Sequence, residues 1–234
     1  MISAILFDFG GTLDADGLHW LDRFYAIYDR LGFHRLSRSA IKEAFYWADA
    51  QGESDPAMKN AGLREMMNLH ARWQIQKLAL DDVGLHFKLS EGFYKPAERT
   101  LRRNRHILEK LSQAGCKLGV ISNFYGNVET LCREFGYIPF LQTILDSAII
   151  GLKKPDPAFF QMALNQLDVS AAETAFVGDS FERDIVPAKA LGMQTFWLIG
   201  DQSLVPPRPG QADVILRSLE DLPKAVETRN GKVK

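Results

Sequence analysis

Residues 2–9 form a short apolar run that ends at an acid and two glycines, the pattern of a buried strand followed by a tight turn. The period then changes. Between about residues 17 and 94, apolar side chains recur at i, i+3, i+4 and i+7: Leu21, Phe24, Tyr25 and Tyr28; Ile41, Ala44, Phe45 and Ala48; Leu63, Met66, Met67 and His70. Each set places one apolar stripe on a helix. The Gly52-Glu53-Ser54-Asp55-Pro56 stretch reads as a loop between two of these helices.

After Lys95-Pro96 strand and helix patterns alternate. Helices are expected over residues 97–113, stopped by Gly115, and over 128–135, 157–167, 185–191 and 219–228. Strands are expected over 116–122, 144–149, 174–177, 194–199 and 213–216. Residues 206–210 read as an irregular surface loop, and the basic tail 229–234 as a frayed end. Such alternation predicts an α/β fold, a Rossmann-like doubly wound parallel sheet, interrupted after its first strand by a helical insertion. The expected division is a core of residues 1–13 and 95–234 and an insertion of residues 14–94.

Composition narrows the function classes. The chain has 234 residues, 46% hydrophobic and 24% charged, with a formal net charge of -1. That suits a soluble globular protein and gives no basic surplus for nucleic acid or an anionic membrane. No apolar run approaches the roughly 20 residues of a membrane span, and the start lacks the basic region of a signal peptide. The expected setting is cytoplasmic, with a small-molecule partner and a monomeric or homodimeric state. Cys116 and Cys132 match no disulfide framework or metal-ligand spacing and read as buried thiols.

Four short segments stand where strands give way to loops: Asp8-Phe9-Gly10-Gly11-Thr12, Ser122-Asn123, Lys154-Pro155-Asp156-Pro157, and Gly178-Asp179-Ser180 with Asp184. In open α/β sheets, ligands bind outside the carboxyl ends of the strands, so these segments have a common place to meet. Their chemistry is coherent. Asp8 offers a nucleophile that forms an aspartyl-phosphate. Asp179 and Asp184 add carboxylates that repel one another unless a hard cation such as Mg2+ sits among them. Lys154 supplies fixed positive charge for a phosphoryl transition state, and Ser122 supplies donors.

In this order and spacing the segments resemble the four motifs of the haloacid dehalogenase superfamily, and the resemblance covers almost the whole chain. It implies that Asp8 is nucleophile and metal ligand, followed by the matching Thr12. It also implies that the Gly10 carbonyl and Asp179 bind Mg2+, and that Asp184 is a ligand through water or a partner of Lys154. Gly11, Thr12, Ser122, Asn123 and Lys154 would hold the transferring phosphoryl group. The helical insertion is similar to the family's α-helical cap, which closes over the site and selects substrates. The implied activity is magnesium-dependent hydrolysis of a small phosphorylated metabolite.

One position departs from the pattern. Phosphatases of this superfamily usually carry a second aspartate two residues after the nucleophile, as general acid and base; here it is Gly10. Such help is typically worth about 10²–10⁴-fold in rate. Three readings stay open. The chain is a phosphatase in which another acid or an ordered water serves, with Asp14 and Asp16 near in sequence. Or it cleaves a carbon–halogen or carbon–phosphorus bond, the latter with Lys42 or Lys59 as an imine former. Or it binds phosphate as a silent regulatory module.

Several residues have plainer readings. Asp14, Asp16 and Asp156 fit turns and caps. Trp20, Phe45, Tyr46, Trp47 and Trp73 fit the interior of the helical insertion. His19 fits a packing role, and Arg99, Arg102, Arg103, Arg105 and Lys110 fit a solvated helix face.

Overall fold

The fold was taken from a computed structural model, which describes residues 1–200 and 210–231. The segment 206–209 of the expected loop and residues 232–234 of the tail lie outside the described residues.

Among the described residues, six parallel strands form one sheet: β1 (Ala4–Phe7), β2 (Lys117–Ser122), β3 (Leu141–Asp146), β4 (Thr174–Gly178), β5 (Gln194–Leu198) and β6 (Val214–Leu216). Their order is β3-β2-β1-β4-β5-β6. β1 is central, with Ala4 opposite Lys117 on one side and Thr174 on the other. The chain order runs outward from β1 in both directions, so the switch point of the doubly wound sheet lies at β1. Every residue of β1 is buried, as expected of a strand covered on both faces.

Alternate residues of β1 serve different layers. Ile5 and Phe7 join Leu118, Val120 and Val177 on the face covered by α4 (Leu85–Gln113), α5 (Val128–Glu134) and α9 (Leu222–Arg229). Ala4 and Leu6 join Phe176, Phe159 and Phe160 on the face covered by α7 (Pro157–Leu167) and α8 (Val186–Ala190).

Three helices precede α4 between β1 and β2: α1 (Trp20–Arg30), α2 (Arg38–Ser54) and α3 (Leu63–Lys77). They meet the N-terminal part of α4 around an aromatic core. The rings of Trp20 and Phe93 lie 5.0 Å apart, those of Phe24 and Phe93 5.2 Å, and those of Phe24 and Phe45 5.9 Å.

Three elements differ from expectation. The stretch 52–56, expected as a loop, is helical as far as Ser54, the end of α2, and Asp55 caps a short 3-10 turn over Pro56–Asn60. The helix expected over 97–113 is the C-terminal half of a longer helix that begins at Leu85 and contains Pro96. An internal proline removes one backbone hydrogen bond and costs about 3 kcal/mol. Burial overrides it, because Leu85, Leu89, Phe93, Ala97 and Leu101 form an unbroken i+4 stripe of buried side chains across the proline. The boundary expected at 94/95 therefore falls inside a continuous helix.

The strand expected over 144–149 instead spans Leu141–Asp146 and ends in a short helix, α6 (Ser147–Ile150). Asp146 causes the break. Its Oδ1 accepts from the Ala148 N–H at 3.0 Å, and its Oδ2 accepts from Gly126 and Val128 at 2.9 and 3.1 Å. A carboxylate that caps a helix start and ties down a neighbouring loop ends the strand there. Cys132 is buried as expected, whereas Cys116 is half-buried. Among the described residues, no helix is long and apolar enough to cross a membrane.

Candidate active site

Asp8 follows β1 directly, and its N–H donates to the Val177 carbonyl of β4 at 3.0 Å. Ser122 closes β2, the Asp179 segment follows β4, and Lys154 comes from the loop after α6. The switch point thus brings four distant segments to one crevice. The Ser122 hydroxyl donates to Asp8 Oδ1 at 2.7 Å. Lys154 Nζ lies 2.7 Å from both Asp8 Oδ1 and Asp184 Oδ1. Asp184 Oδ2 accepts from the Ser180 N–H at 3.0 Å. Among the described residues, nothing donates to Asp8 Oδ2.

Close backbone approach makes this packing possible. Gly11 has φ +87°, and a Cβ there would meet the Asp179 carboxylate at 2.5–2.7 Å. A Cβ on Gly178 would run into the Asp184 carboxylate.

Carboxylate oxygens of Asp8, Asp179 and Asp184 all lie within 4.8 Å of one another. The electrostatics follow from three acids sharing one buried ammonium. Burial, then the charges of Asp8 and Asp184, push the Asp179 carboxyl well above the usual carboxylate range. Burial raises Asp184 to about 6, against the pull of Lys154. Burial alone would lower the Lys154 ammonium, but the Asp184 and Asp8 carboxylates outweigh it and the net shift is upward. An acid cluster under this strain is a site that a hard divalent cation relieves, and all-oxygen donors suit magnesium.

Three residues expected to contact phosphate have partners within the protein. The Gly11 N–H donates to Asp14 Oδ1 at 2.7 Å, so it is committed to its own turn. Thr12 is fully buried, and its hydroxyl donates to Asp179 Oδ1 at 3.2 Å, which orients that acid. The Asn123 side chain accepts from the Lys154 N–H at 2.8 Å and donates to the Lys154 carbonyl at 2.9 Å. It clamps the backbone that carries the lysine.

The cleft above Asp8 encloses about 430 Å³, a size suited to a small molecule. Gly10 lies on its floor, and a Cβ there would sit 3.4 Å from Trp20 and 3.5 Å from Phe124. The indole edge therefore stands over the position that would hold a second acid. Trp20 is fixed in turn, because its Nε1–H donates to Asp14 Oδ2 at 2.8 Å.

Asp14 and Asp16 do not replace that acid. Asp14 is fully buried beneath Trp20 and 3.8 Å from Arg23. Asp16 pairs with Arg103 at 2.5 Å and accepts from the Leu219 N–H at 3.1 Å, away from the cleft. Arg103 is accordingly an ion-pair partner and not merely part of a solvated face. Lys42 and Lys59 do not line the cleft either.

His19 does line it, although its Nδ1 caps α1 by accepting from Leu21 at 3.1 Å. Burial lowers its pKa, against the opposing charge of Asp22. Sequence reasoning missed the acids Asp49 and Glu53 and the cations Lys153 and Arg183, which also line the cleft. Lys153 and Arg183 adjoin matched motif residues in sequence. Asp49 and Glu53 are spaced four apart on the stripe side of α2 that begins at Phe45, a pattern readable as one helix face.

The comparisons with known proteins agree with this geometry. A family profile described as haloacid dehalogenase-like hydrolase matches residues 2–192. A haloacid dehalogenase-like hydrolase domain-containing protein 3 from Bos taurus is 30% identical over 201 residues, covering 78% of this chain and 76% of the relative. A glyceraldehyde 3-phosphate phosphatase from Methanocaldococcus jannaschii is 34% identical over 148 residues, covering 62% of this chain and 63% of that protein. Among solved structures, a phosphatase of the same superfamily from Thermococcus onnurineus superposes with a TM-score of 0.55 at 20% identity, over 96% of this chain and 98% of that one. An L-2-haloacid dehalogenase superposes with a TM-score of 0.63 at 18% identity, over 97% and 99%. Both structural likenesses speak to the fold. With the matched residues spanning the strand ends that build the cleft, the chain belongs to the haloacid dehalogenase-like hydrolases.

Proposed function

We propose that this hydrolase is a magnesium-dependent phosphatase acting on a small phosphorylated metabolite through an aspartyl-phosphate at Asp8. The observation that carries the reading is the convergence of Asp8, Asp179 and Asp184 with the buried ammonium of Lys154. A dianionic ester and a hard cation match that set, whereas attack on a carbon–halogen bond has little use for it. Phosphatases among the curated relatives support the same choice.

Asp8, Asp179 and the Gly10 carbonyl would hold the magnesium, with Asp184 beside them. When bound, the cation supplies positive charge against the phosphoryl oxygens. The protein's own groups do the rest. Ser122 and Lys154 hold Asp8 Oδ1, which leaves Oδ2 as the attacking oxygen. The new P–O bond to Asp8 forms as the bond to the leaving oxygen breaks, and that oxygen takes a proton from water in the cleft. A second water, giving its proton to the hydroxide left by the first, then attacks phosphorus as the bond to Asp8 breaks, which releases inorganic phosphate and restores the carboxylate. The carboxylates of Asp184 and, until it is phosphorylated, Asp8 favour the ammonium of Lys154, so it keeps its charge as phosphorus is attacked. The helical segment 14–94 acts as a cap that excludes bulk water and shapes the leaving-group side.

Release of inorganic phosphate from a panel of sugar, nucleotide and small-acid phosphates tests the proposal, with magnesium, with EDTA and with Asp8→Asn. The expected result is release that needs magnesium and is lost in Asp8→Asn while the circular dichroism spectrum is kept. An active Asp8→Asn protein, or release unaffected by EDTA, would overturn it.

A further inference from the structure

Helix α2 turns Phe45, Tyr46, Asp49 and Glu53 towards the cleft. Asp49 is held by an arrangement that the catalytic floor does not use. Its Oδ1 accepts from the Tyr125 hydroxyl at 2.5 Å and from His70 Nε2 at 3.1 Å. Behind His70 runs a buried chain. Its Nδ1 accepts from Gln74 Nε2 at 2.8 Å, and Gln74 Oε1 accepts from the Tyr28 hydroxyl at 3.3 Å. The direction of each bond puts the imidazole proton on Nε2, facing Asp49.

His70 and Gln74 are fully buried, and the imidazole is stacked on Phe24 with centroids 5.4 Å apart. Tyr125 approaches from the other side, from the loop after β2. Burial and the adjacent Asp49 charge push its phenol well above the usual value, so it stays a donor. Asp49 is thus fixed by two donors on one oxygen. Among the described residues nothing donates to its Oδ2, and no lysine or arginine pairs with it. Its side chain keeps 28% exposure, on the cleft. A fully satisfied buried network that leaves one carboxylate oxygen open in a binding cleft presents a fixed acceptor to whatever occupies that cleft.

We propose that Asp49 selects the leaving group. Its Oδ2 accepts a hydrogen bond from an O–H or N–H of the alcohol half, which makes phosphate esters of polyols and amino alcohols the preferred substrates. This rests on the phosphatase reading above. Charge across the cleft points the same way. Besides the floor acids and Lys154, the core lines the cleft with Lys153 and Arg183, whereas α2 lines it with Asp49 and Glu53 and no cation. A leaving group with its own carboxylate meets like charge at α2.

Asp49→Asn keeps the shape and replaces the open acceptor by an amide donor. The experiment measures kcat/KM for glycerol phosphate, phosphoethanolamine, phosphoglycolate and p-nitrophenyl phosphate in the magnesium-loaded full chain, wild type and variant. For the first two substrates, the ratio of kcat/KM to that for p-nitrophenyl phosphate is expected to fall about 10- to 100-fold in Asp49→Asn, mainly through KM. The ratio for phosphoglycolate is expected to rise. Tyr125→Phe, which removes one of the two donors, is expected to shift the ratios in the same direction by less. An equal loss on all substrates marks a merely structural role and overturns the inference, as do unchanged ratios. If the wild type releases phosphate from none of them, the phosphatase reading fails, and this inference falls with it.

Discussion

The ammonium of Lys154 lies 2.7 Å from Oδ1 of Asp8, and the lysine side chain is 3% exposed. The same nitrogen bridges Asp184, so removing it leaves two acids without their buried partner. Breaking a buried ion pair typically costs about 3–5 kcal/mol. Lys154→Met is therefore expected to lower the unfolding free energy of the metal-free protein by about that much, measured by urea unfolding. Magnesium is expected to restore part of the loss. A variant as stable as the parent would show that Lys154 does not balance these charges.

The acid cluster also predicts a pH dependence. Asp184 rises to about 6 from an ordinary 3.8, and Asp179 moves the same way. The folded chain then holds protons that the unfolded chain has released. The contribution of these acids to stability is fully present below about 3.8 and is lost as pH rises through about 6. Without divalent cations, the thermal midpoint is expected to fall between about pH 5 and pH 7.5. Excess magnesium is expected to flatten that slope, because the cation binds only the folded cluster. Identical slopes with and without magnesium would remove these acids from the metal site.

Restoring the acid at position 10 tests the role of Trp20. A Cβ at Gly10 already contacts the indole and Phe124, so a carboxylate beyond it is expected to crowd them. Gly10→Asp is expected to cost about 1–3 kcal/mol through overpacking and to leave phosphate release no faster. A rate gain of 100-fold would mean that the aromatic wall yields easily and that only the acid was missing.

Asp14 ties this wall together. It accepts from Gly11 and Trp20 and sits beside the buried guanidinium of Arg23, which lies over the Phe93 ring at 4.5 Å. Asp14→Ala strands that guanidinium, with an expected loss of about 3–5 kcal/mol. Trp20 would lose its partner as well, and tryptophan emission should shift in the native state. A stable variant with unchanged emission would contradict this account.

Much of the fold was legible in the sequence because it depends on local periodicity. The apolar run into Asp8, the alternation after Lys95 and the helical stripes of Leu21, Ile41 and Leu63 each state a secondary structure and a buried face. Elements were misjudged where distant partners decide. Pro96 reads as a break, yet α4 passes through it because its stripe is buried along the whole length. Ile149 continues an apolar run, yet Asp146 ends the strand by capping α6 and binding the loop at Gly126.

The candidate site divides in the same way. Sequence alone picked out Asp8, Ser122, Lys154, Asp179 and Asp184 as candidates, because polar residues that follow the strands of a parallel sheet come together beyond the strands' carboxyl ends. The partners of those residues were decided by tertiary structure. Gly11 is committed to Asp14, Thr12 to Asp179 and Asn123 to the backbone of Lys154. Trp20 covers Gly10 from a helix that follows it in sequence, and Asp49 reaches the cleft from another. Periodicity fixes which side of a helix is buried, but not which distant surface it meets. That meeting depends on how α1 and α2 pack over the sheet edge.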